Sequence, residues 1–142
     1  MELRNYCPSD MGVIAPQLFA SLNPDCDSRY RSIVNKLDTM IELVREQPDF
    51  DLAHDMDQLL DSMKEHFCSE NDVLKLVDFP HSTAHRFDHY SIFTGAAEVR
   101  HLLGTGEDTA SSSLSRVRRI FLEHIHVHDR PFEEFFASRE RV

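Results

Sequence analysis

Residues 52–77 read "LAHDMDQLLDSMKEHFCSENDVLKLV". Steps of four and three in strict alternation pick out Leu52, Met56, Leu59, Met63, His66, Glu70, Val73 and Val77. That period marks one face of an α-helix rather than the two-residue alternation of a strand. The apolar stripe needs partner helices to cover it. His66 and Glu70 interrupt it where apolar residues are expected, so the same stretch raises the question of what a histidine and a carboxylate do inside.

The pattern repeats on both sides. Upstream, "EQPDFD" breaks the chain at Pro48, and before it a helix is expected over about residues 25–47, capped by Asp25 or Asp27. Its inward positions are Ile33, Val34, Leu37, Met40, Ile41 and Val44. Residues 1–23, interrupted by Pro8 and Pro16, read as an irregular N-terminal arm. Downstream, "DFPHS" ends the quoted helix and Pro80 begins the next. A third helix is expected over about 81–103, with His85, His89, Ile92, Ala96, Val99 and Leu103 inward. "GTGEDTASSS" then connects to a fourth, capped by Thr109, Ser111 or Ser112, with Leu114, Val117, Phe121, His124, Val127 and His128 on its seam. It should end near "DRPFEEFF", where Phe132, Phe135 and Phe136 fold a last turn against the bundle. Four helices of about 20 residues with short connections predict an all-α, up-down-up-down antiparallel four-helix bundle, a single domain over 1–142 with its helical part at about 25–136.

Composition narrows the partners. Acidic residues outnumber basic ones, 25 to 15, and a formal charge of −10 repels phosphate backbones and anionic membranes. Neither a nucleic-acid nor a membrane partner is expected, and Arg116, Arg118 and Arg119 read as mixed surface. No apolar run approaches a membrane span, and the first residues lack the apolar stretch of a secretory signal. Cys7, Cys26 and Cys68 are odd in number and widely spaced, which argues against a disulfide framework and suits a reducing cytoplasm. With Cys68 turned away from His66 around the helix, no ligand role is expected for it.

The inward polar residues fall at one level. Measured from the turn near 79, Glu70 lies about nine residues back and His89 about ten forward. Measured from the loop near 106, His89 lies about 17 back and His124 about 18 forward. At ~1.5 Å of rise per residue, His66, Glu70, His85, His89 and His124 should converge at one end of an antiparallel bundle. From the turn near 49, the level of His66 on the first helix is the region of Tyr30 to Val34. Burying these groups without partners would cost several kcal/mol each. A metal ion removes that cost; imidazole suits iron, zinc, copper or nickel, and a carboxylate can bridge two ions.

The ordered set "HFCSE" (His66, Glu70), "HRFDH" (His85, His89) after "DFP", and "HIHVHD" (His124, Asp129) resembles the hemerythrin family, in particular its bacterial members, over about residues 25–136. The resemblance implies two non-heme Fe ions with an oxo or hydroxo bridge. It implies His85, His89 and His124 on one iron, His66 on the other, and Glu70 and Asp129 bridging them. Asp129 follows His124 by five residues, and an ideal helix would turn it about 140° away. It reaches the site only if the helix loosens or tightens near "DRP", whereas His128 stands at the simpler i+4 position. His126 should face outward. The family carries a further histidine on the first helix where this chain has Tyr30, so Tyr30 either ligates as a phenolate or packs over the site with a hydrogen bond. Loss of the second metal is the third possibility. Asn71 stands at a position often acidic in the family, and Ile120 where bacterial members often carry Trp. His81 and His101 are expected at the surface, and His54 lies too near His66 on the same helix to replace the missing ligand.

The resemblance implies a protein that binds, senses or stores dioxygen or a related small ligand (nitric oxide, peroxide), more a ligand binder than an enzyme. A di-iron redox enzyme reducing peroxide or oxygen is the alternative, since Tyr30 departs from the oxygen-carrier ligand set. A third is an iron-storage or structural-metal protein without gas binding. No signalling domain is expected within these residues, so a sensor output would require a separate redox or signalling protein.

Overall fold

A computed structural model describes residues 24–103, 105 and 110–140. The described chain is all-helical: α1 (Pro24–Glu46), α2 (Ala53–Leu76), α3 (Ser82–Leu102), α4 (Ala110–His124), a π-helical turn (Ile125–Asp129) and α5 (Arg130–Glu140), which continues α4. No strand occurs among the described residues. The expected irregular arm over 1–23 and a cap at Thr109 lie outside them.

Each helix packs against its successor and α4 returns to α1, so four helical rods enclose one core. Every apolar seam position of α2 is buried, and the seams of α1 and α3 are buried apart from partial exposure at Val34 and Leu103. The core is closed by large rings, with Phe67, Phe121 and Phe132 fully buried. At ~25 cal/mol per Å² of apolar area, each contributes on the order of 2–3 kcal/mol of burial free energy. Toward its C-terminus α2 is buried on more than one face, and Ser69, Glu70, Asn71 and Asp72 go inside together. Between α2 and α3, Asp78 takes a left-handed backbone (φ 54°), which aspartate tolerates better than most residues.

Three boundaries differ from expectation. Asp25 and Asp27 do not cap α1, which starts at Pro24; a proline fits the first turn because its missing N–H has no helical acceptor there. Ser111 and Ser112 lie within α4, which begins at Ala110. The final helix does not stop at "DRPFEEFF" but runs to Glu140, with Phe132 and Phe136 buried. Pro131 is accommodated because the preceding turn is π-helical, with the Arg130 N–H bonded to the Ile125 carbonyl five residues back. In an α-helix the proline ring would clash with the carbonyl of Val127.

The π turn also changes which residues point inward. One extra residue in the turn rotates everything after it by about 100° relative to the α-helical seam. Val127, expected inside, is 58% exposed, whereas Asp129 is fully buried. No described helix is long and apolar enough to cross a membrane. Cys68 is disulfide-bonded, so the expectation of uniformly reduced cysteines does not hold for it.

Candidate metal centre

α2 contributes Glu70, α3 contributes His85 and His89 one turn apart, α4 contributes His124 from its last residue, and the π turn contributes Asp129. One donor atom from each lies within 4.8 Å of all the others, and all five residues are buried. The three imidazoles form a nearly equilateral triangle, with ring centroids 4.6, 4.8 and 4.6 Å apart. Their Nε2 atoms face the carboxylates. His85 Nε2 is 2.6 Å from Glu70 Oε1 and 2.8 Å from Asp129 Oδ1, and His89 Nε2 is 2.9 Å from Glu70 Oε1. His124 Nε2 is 3.0 Å from Asp129 Oδ1 and 4.0 Å from Glu70 Oε1.

These distances test the fit of a cation. Donors at ~2.1 Å from one ion stand roughly 3 Å apart when adjacent and roughly 4.2 Å apart when opposite. The observed 2.6–4.0 Å spread is close to that shell. Hydrogen bonding alone leaves it unsatisfied: His124 Nε2 and Asp129 Oδ2 are buried with no hydrogen-bond partner, the 3.0 Å approach of His124 to Asp129 being poorly aligned for one. One N–H at His85 Nε2 also faces two carboxylate oxygens. Each unmet buried group costs about 1–3 kcal/mol. With neutral imidazoles the two carboxylates carry a formal −2, so one divalent cation would neutralise the set. A mixture of imidazole and carboxylate donors suits iron, zinc or another first-row ion.

Outer partners orient two of the rings. Asn71 Oδ1 lies 2.6 Å from His89 Nδ1, and Asp88 Oδ2 lies 2.6 Å from His124 Nδ1. An imidazole that donates Nδ1–H outward presents an Nε2 lone pair inward, the arrangement common to metal-ligating histidines. Phe67 stacks on His89 at 4.4 Å and fixes its plane. His85 Nδ1 is buried with no hydrogen-bond partner.

Without a cation, protons compensate the charge. Burial opposes ionisation of Glu70, but protonated His85 and the close approach of His124, His85 and His89 outweigh it and hold the carboxyl well below its usual range. Burial also works against protonating His85 and His124. The Glu70 and Asp129 carboxylates override it at His85, and Asp129 and Asp88 lead at His124, so both pKa values rise. At His89 burial dominates and lowers the pKa well below its ordinary value; at Asp129 burial and the neighbouring Glu70 charge raise it.

The remaining candidates take different places. His66 is buried, with neither ring nitrogen hydrogen-bonded, yet lies outside the five-residue group. Tyr30 is buried beside it, the rings edge-to-face at 5.2 Å, and its hydroxyl donates to Glu133 Oε1 at 3.2 Å. His128 is not among the five; it is partly exposed and flanks the cluster with Nε2 3.8 Å from Asp88 Oδ2. His54, His81, His101 and His126 are exposed. The sequence holds two Glu-x-x-His quartets, Glu98 with His101 and Glu123 with His126, and their exposed histidines keep both out of the core. Asp88 and Glu133 were not singled out from the sequence. Asp88 could have been, as it lies three residues after His85, near the same helix face. Glu133 carries no such signal, because the π turn sets its phase.

Compared with protein-family models, curated proteins and solved structures, the chain matches nothing. What fold and site define is therefore a class: an all-helical protein with a buried three-histidine, two-carboxylate cluster that could hold a metal ion.

Proposed function

We propose that this chain is a hemerythrin-like non-heme iron protein that binds dioxygen or a related small ligand such as nitric oxide or peroxide. The observation that carries the reading is the convergence of Glu70, His85, His89, His124 and Asp129 in the buried interior of the helices. Bound iron would supply a redox couple and an open coordination position. The chain's part is to fix three imidazoles through packing and outer hydrogen bonds, balance charge with two carboxylates and exclude bulk water. The up-down-up-down topology belongs to the same proposal. It is supported by the pairs Asp57–Arg100 and Asn71–His89, in which numbering rises along α2 as it falls along α3.

A second iron would be held by His66 and Tyr30 beside the bridging carboxylates. Both nitrogens of His66 lack a hydrogen bond, and the Glu133 carboxylate beside the Tyr30 hydroxyl is placed to accept its proton. Phenolate ligation favours the ferric state, and this departure is what favours redox turnover as the alternative to reversible binding. The test is metal analysis of the full chain followed by crystallography with anomalous scattering at the iron edge. Two iron peaks at the cluster support the di-iron reading, and one peak limits it to a mononuclear centre. Zinc in place of iron points to a structural site. A chain that retains no transition metal after loading refutes the proposal.

A further inference from the structure

The five clustered side chains are all closed to solvent. An ion arriving from water must exchange its hydration shell for these donors, and a charge in a core is costly until it meets them. Beside the cluster stand two donors that the core does not enclose. The side chains of Asp88 on α3 and His128 in the π turn are 35% and 24% exposed, and His128 Nε2 is 3.8 Å from Asp88 Oδ2. That gap is too long for a hydrogen bond. It falls between the roughly 3 Å and roughly 4.2 Å at which two donors flank a single ion. Asp88 Oδ2 is also 2.6 Å from Nδ1 of His124, whose Nε2 faces Asp129 in the cluster. The His128 ring stacks on that of His124 at 5.3 Å and lies 5.5 Å from that of His85. The outer pair therefore borders the cluster directly, across the rings of two of its histidines.

A cavity of about 330 Å³ opens at His128, lined also by Phe79, His81, Ala84, Val127 and Pro131. An ion with about six waters needs roughly 180 Å³ at ~30 Å³ per water, so it enters with its shell. His81, Ala84 and Asp88 follow one another by three and four residues, so the cavity wall and Asp88 lie on one stripe of α3 and its approach. We infer that Asp88 and His128 form an outer divalent-cation site through which the buried cluster is loaded. The inference rests on the metal-centre reading and adds the route of entry. One carboxylate and one imidazole, with water completing the shell, hold a first-row ion more weakly than the three imidazoles and two carboxylates inside. Weak holding suits transfer, and an ion held there is at high local concentration beside His85 and His124. The charge of −10 adds long-range attraction for cations. Once the cluster is filled, Asp88 still accepts the hydrogen bond from His124 Nδ1 and His128 is released. His128 therefore governs the rate of loading and not the final affinity.

Cobalt(II) is the probe, because its visible bands report the donors around it. The full chain, stripped with chelator, is mixed with cobalt chloride in a stopped-flow spectrometer. It is used unaltered and as His128→Ala, Asp88→Asn and the surface control His126→Ala, with helicity checked by circular dichroism. His128→Ala should slow uptake at least about ten-fold yet reach the same final spectrum, with equilibrium affinity within about three-fold. His126→Ala should leave the rate within about two-fold. Asp88→Asn should slow uptake and also weaken affinity, because Asp88 orients His124. Uptake by His128→Ala as fast as by the unaltered chain overturns the entry site and leaves the buried centre standing. Equal slowing by His126→Ala overturns it too, since any surface imidazole would then suffice. A changed final spectrum in His128→Ala makes His128 a ligand of the buried centre and overturns the outer site. A chain that takes up no cobalt refutes the metal centre itself, and this site with it.

Discussion

Asp129→Asn should have opposite consequences with and without metal. Asp129 is fully buried, and burial together with the Glu70 charge raises its pKa. Its ionised form is therefore a liability in the metal-free protein, and asparagine keeps the shape without the charge. The metal-free variant should be as stable as the parent to within about 1 kcal/mol, the amide oxygen keeping its hydrogen bond from His85. With a divalent ion bound, the donor set falls from −2 to −1 and leaves a buried positive charge uncompensated. Stranding a charge in this way costs about 3–5 kcal/mol, which is roughly 150- to 5,000-fold in affinity. Chelator competition reads the affinity directly, and calorimetry with and without saturating metal reads the stabilisation by binding. His128→Ala, by contrast, should change affinity less than about three-fold because His128 stands outside the five donors. Equal metal affinity in parent and Asp129→Asn would refute the reasoning. So would a larger loss in His128→Ala, which would mean that the inward residue after the π turn is misassigned.

The metal-free chain should be most stable near pH 6.5. His85 and His124 have raised pKa values, so their contribution is complete below the unfolded value of ~6.5 and is lost as pH rises through the folded values. His66 and His89 are lowered, chiefly by burial, so theirs is lost as pH falls below ~6.5. Melting curves from pH 5 to 9 after chelation check this, and a monotonic profile contradicts it; metal binding should release protons and tighten as pH rises. Tyr30→Phe should abolish a broad visible band of the ferric protein if the phenolate ligates, whereas an unchanged spectrum removes Tyr30 from the ligand set. Phe67→Ala should cost about 3–5 kcal/mol by denaturant titration, because Phe67 is fully buried against His66, His89, Phe121 and His124.

Much of this was legible in order. The alternation of four and three that gave Leu52, Met56, Leu59 and Met63 continued through His66 and Glu70, and all six are buried. Level matching placed Glu70, His85, His89 and His124 together, and they share one cluster. It also set His66 opposite the first helix near Tyr30, and the two rings do meet; His66 nevertheless lies outside the five-residue group, because equal height along parallel rods does not fix which wall of the core a side chain faces. The partners Asn71 and Glu133 make contacts between helices, and no periodicity within one helix marks them.

The sequence by itself determined the helices and four of the five clustered residues, because hydrophobic period is a local property that survives without knowledge of neighbours. Asp129 could not be decided that way. A regular α-helix after His124 presents His128, and the five-residue spacing to Asp129 becomes inward only through the π turn that accommodates Pro131. Beyond that turn Phe132 and Phe136 are still buried, so the shifted phase is the one that packs on the core. Packing of α5 on the bundle therefore chose the carboxylate over the imidazole, a choice made between segments that no single stretch of sequence contains.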